Sequence, residues 1–107
     1  MGLDAQVIGI GPFSPEIAES LEYGAQRYAE VEPGATVVTT VFLAATTSES
    51  CDLAEAFGVG PFEMGKHHLD AQKVSIEKLR SLGDERGIAD FLNLRDHGFE
   101  FYYLPNG

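Results

Sequence analysis

The chain is 107 residues long, 44% hydrophobic and 22% charged, with seventeen Asp and Glu against seven Lys and Arg and a net charge of −10. That length and composition fit a single globular domain, residues 1–107, with enough apolar material for a core, and they exclude a disordered acidic tail. The sign of the charge argues against direct contact with nucleic acid or anionic membrane, since both need Lys and Arg to replace condensed cations.

Ala5 to Gly11 reads as a short buried strand whose small residues allow close packing. Ser14 then offers a helix cap, Pro15 suits the first helical position, and Glu16 complements the positive helix end. Ile17, Leu21, Ala25 and Tyr28 recur at helical spacing, so this helix is expected to run to about Val31. Ala35 to Ala45 gives the strongest strand expectation. It is rich in β-branched residues and apolar on both faces, as a central strand would be.

Thr46, Thr47 and Ser48 can cap a short helix from Glu49 to Phe57, stopped by Gly58. Val59 to Gly65 reads as a glycine-rich loop. A helix is predicted from His68 to Leu82, with Leu69, Ile76 and Leu79 inward and Gly83 as its stop. Asp84 caps a further helix, Glu85 to His97, buried through Ile88, Phe91 and Leu92 and ended by Gly98. Phe99 to Leu104 alternates as a last strand, with Phe99, Phe101 and Tyr103 on one face and Glu100, Tyr102 and Leu104 on the other. The order β-α-β-α-α-α-β implies an α+β fold, or a small α/β one: a three-stranded sheet with helices packed on it.

Charge is distributed unevenly along the chain. Through Glu63 ten acids face the single base Arg27, so nine of the ten net negative charges fall in that stretch. The lone Cys51 cannot form an intramolecular disulfide, and the start of the chain lacks the basic and apolar regions of a signal peptide. No apolar run approaches the ~20 residues of a membrane span. The expected setting is the cytoplasm.

Each motif that could carry chemistry has a plainer reading. Gly9 to Ser14 follows a strand and precedes a helix, where a phosphate loop would sit. Its third glycine is missing, Pro12 removes a backbone donor, and Glu16 and Glu19 would repel an anion, so a tight turn and helix cap are expected. His67, Asp70 and His97 are weak metal candidates, with His68 beside them. Adjacent histidines on a helix diverge, and a solvated helix start explains them without a metal or cofactor. Asp52 and Glu55 near Cys51 oppose formation of a thiolate nucleophile.

The leading expectation is therefore a non-catalytic domain that captures a basic protein partner, such as an inhibitor or immunity protein acting on a cationic toxin or nuclease. Glu16, Glu19 and Glu22 on the first helix, with Glu49, Asp52 and Glu55 on the next, would supply the attraction, and Tyr102 contact area. One alternative is a small enzyme or ligand-binding domain with a site between the Gly9–Ser14 turn and the Val59–His68 region. The other is a structural homodimer formed by pairing of the C-terminal strand as a sheet edge.

Overall fold

A computed structural model describes residues 4–20, 31–60 and 67–106. In chain order the elements are β1 (Asp4–Pro12), α1 (Pro15–Ser20), β2 (Thr36–Ala44), α2 (Thr47–Phe57), β3 (His67–Leu69), α3 (Ile76–Arg80), α4 (Glu85–Asp96) and β4 (Glu100–Asn106). The class is α+β. The sheet has four strands rather than the expected three, in the order β2-β1-β4-β3, and every neighbouring pair is antiparallel.

The helices begin and end where local chemistry requires. The Glu49 amide donates to Thr46 Oγ1 at 3.1 Å, capping the start of α2, and the Thr46 hydroxyl donates to the Glu49 carboxylate at 3.1 Å. Gly58 ends α2 with φ of 72°, a left-handed conformation that costs glycine little. Ser75 caps α3 through the Lys78 amide at 3.3 Å, and Asp84 caps α4 through the Gly87 amide at 2.8 Å. For α1 the Ile17 amide donates to the Ser14 carbonyl, and the remainder of the expected first helix lies outside the described residues.

The predicted helix from His68 to Leu82 is instead a strand, a turn and one short helix. Asp70 Oδ1 accepts from the Gln72 amide at 3.0 Å, a side-chain turn that competes with helix, and only after Ser75 does helix begin. His67, His68 and Leu69 pair with Tyr103, Tyr102 and Phe101, which makes β3 the fourth strand.

β2 lies at the sheet edge, not at its centre. Its register against β1 steps from Val7↔Phe42 to Ile8↔Thr40, so Val41 is an extra, bulged residue. The bulge turns both Val41 and Phe42 inward, while Val38 and Leu43 remain 50% and 76% exposed on the other side. Apolar residues on both faces thus arise from a bulged edge strand.

One core fills the space between the sheet and the helices. Val7, Phe101, Tyr103 and Leu69 from the sheet meet Ile17 of α1, Leu53 of α2, Leu79 of α3, and Ile88, Phe91 and Leu94 of α4. All four described helices therefore cover the same face of the sheet. At the centre Phe91 packs against Phe101, Phe57 and Phe42, with ring centroids 4.6, 5.5 and 6.1 Å away. Gly9 and Gly11 make room on β1 for the rings of Phe101 and Phe99. No described helix is long and apolar enough to cross a membrane.

Candidate functional site

The molecule presents two unlike surfaces. On the helical side, α1 opens with Glu16 and exposes Glu19, while α2 exposes Glu49, Asp52 and Glu55 at three-residue spacing, opposite its buried Leu53 and Ala54. These acids are not all equally free. Glu49 serves the cap, Lys78 Nζ donates to Glu55 at 3.0 Å, and His97 Nε2 lies 3.6 Å from Glu16. Glu19 and Asp52 have no ion pair within 4.0 Å among the described residues. Glu22 lies outside the described residues.

On the other side the sheet carries no described helix. Its register places Gln6, Ile8 and Ile10 of β1 between Leu43, Thr40 and Val38 of β2 and Leu104, Tyr102 and Glu100 of β4. None of these side chains belongs to the core. Among the described strand residues, those with charged or titratable side chains on this face are Asp4 at one end and Glu100 and His68 toward the other. A hollow of about 360 Å³ opens beside Leu43, lined also by Asp4, Gln6, Ala45 and Leu104.

His68, Glu100 and Tyr102 form the polar corner of this face. His68 Nε2 and Glu100 Oε2 are 2.6 Å apart, and the His68 ring meets Tyr102 edge-on with centroids 5.3 Å apart. Both side chains of the pair are more than half exposed, so water competes for the interaction and limits its strength. The expected alternation along the last strand holds here: Tyr102 and Leu104 are half-buried on the open face, while Phe101 and Tyr103 are fully buried beneath the helices.

The metal candidates are dispersed. Because β3 is a strand, His67 and His68 point to opposite faces of the sheet. Asp70 holds its own turn and faces Lys73 at 3.9 Å, and His97 Nδ1 donates to the Asn93 carbonyl at 2.8 Å at the end of α4. Among the described residues no three His, Cys, Asp or Glu side chains are grouped to hold a metal ion.

Cys51 is half-buried in α2 on the core side of the sheet, near Tyr103. Burial pushes the Tyr103 phenol above its usual 10.0, and negative charge at Cys51 would push it the same way. Among the described residues no buried side-chain nitrogen or oxygen lacks a hydrogen-bond partner.

The expected Gly9–Ser14 turn is mostly strand, since β1 continues through Pro12. Its glycines face Phe99 and Phe101, so the space a phosphate would need against the backbone is filled by aromatic rings. Phe13 is tied to the start of β2, its amide donating to the Ala35 carbonyl at 2.8 Å, and Val59 is tied to the end of α2 through Ala54. Residues 61–66 of the second half of that candidate site lie outside the described residues. β4 pairs with β1 along its length and with β3 from Phe101 to Tyr103, so those three positions are already paired on both sides and are not an edge for the expected strand-paired homodimer.

The open face was only partly visible in the sequence. Alternation in the last strand marked Tyr102 and Leu104, but Ile8, Ile10, Val38 and Leu43 join them only through long-range pairing. Comparison with protein-family models, curated proteins and solved structures found no match to this chain.

Proposed function

We propose that this chain is a non-catalytic binding domain that captures a basic protein partner through acidic residues exposed on α1 and α2. The observation carrying the reading is the exposed series Glu49, Asp52 and Glu55 on α2, with Glu16 and Glu19 exposed separately on α1, on a chain of net charge −10. Such a surface raises encounter rates with a cationic protein and repels nucleic acid and acidic proteins. An inhibitor or immunity protein working in the cytoplasm, directed at a cationic toxin or nuclease, is the form of this function that best suits a small acidic domain.

The test begins by isolating a basic partner from the native cell and measuring its association with the purified chain over a range of ionic strength. The on-rate should fall steeply with salt, and a combined Glu16→Lys, Glu19→Lys and Asp52→Lys variant should associate at least about tenfold more slowly. An on-rate that ignores both salt and these reversals would remove the acidic surface from consideration.

A further inference from the structure

We draw no further inference here: the strongest candidate, the hollow of about 300 Å³ between the turn after β3 and the end of α4, is lined by Arg95 and by Asp70 and Glu100 alike, so that its walls select neither an anion nor a cation and nothing in the structure shows what would occupy it.

Discussion

A Cβ built on Gly11 would lie 2.6 Å from the ring of Phe99, inside the distance at which carbon atoms can meet. The equivalent atom on Gly9 would lie 3.1 Å from the Phe101 ring. The two glycines therefore belong to the core, where the rings of Phe99 and Phe101 fill the space that side chains at these two positions would need. This accounts for a Gly-x-Gly sequence that otherwise resembles the start of a phosphate loop.

Gly11→Ala should accordingly destabilise the protein by about 1–3 kcal/mol, the usual cost of overpacking a filled core. Urea unfolding followed by circular dichroism measures it. Combining Gly11→Ala with Phe99→Leu should recover part of the loss, because the smaller, flexible side chain can move away. Equal stability of Gly11→Ala and the unaltered protein would show that Phe99 does not constrain this position.

The aromatic centre gives the largest expected effect. Phe91 is fully buried and contacts Phe42, Phe57 and Phe101, so it joins β2, α2, α4 and β4 at one point. Phe91→Ala should cost about 3–5 kcal/mol. Against the 5–15 kcal/mol typical of a domain, that is enough to leave a substantial unfolded population at 37 °C. Thermal unfolding of the variant should begin far below that of the parent.

Helix caps were legible in the sequence because they depend on residues three or four positions apart. Thr46 with Glu49 and Gly58, and Asp84 with Gly98, bounded α2 and α4 to within about two residues, the usual scatter of helix ends. What failed depended on distant partners. His67 to Leu69 is a strand only because Tyr103, Tyr102 and Phe101 lie beside it. The edge position of β2 follows from the order in which the strands pair, and its bulge at Val41 is not revealed by local composition. The same limit applies to the candidate site. Glu49, Asp52 and Glu55 could be placed on one helix face by spacing alone, whereas the open sheet face needed the register of three strands.

The Asp84 cap can be tested by itself. Its carboxylate accepts from the Gly87 amide at 2.8 Å, satisfying a donor that the first turn of α4 cannot. Asp84→Ala should lower stability by about 1 kcal/mol, and Asp84→Asn, which keeps an acceptor oxygen, should restore most of it. Amide hydrogen exchange at Gly87 and Ile88 should quicken in the alanine variant. Unchanged exchange there would mean that the cap does not hold the helix start.

Tyr103 sets the response to alkali. Its phenol is held above the usual 10.0, first by burial and then by negative charge at Cys51, so the folded chain retains this proton where the unfolded chain releases it. The unfolded state consequently binds fewer protons above about pH 10, and stability falls as pH rises through that range. Below it the two states carry the same proton and the effect is absent. Melting temperatures measured from pH 8 to pH 11 should decline above pH 10 for the unaltered chain. Tyr103→Phe removes the ionisable hydroxyl while keeping the ring that packs beneath the helices. Its melting temperature should decline less over the same interval, even if it starts lower because a polar contact is lost at neutral pH. Parallel curves for the two proteins would show that other groups, not Tyr103, govern unfolding in alkali.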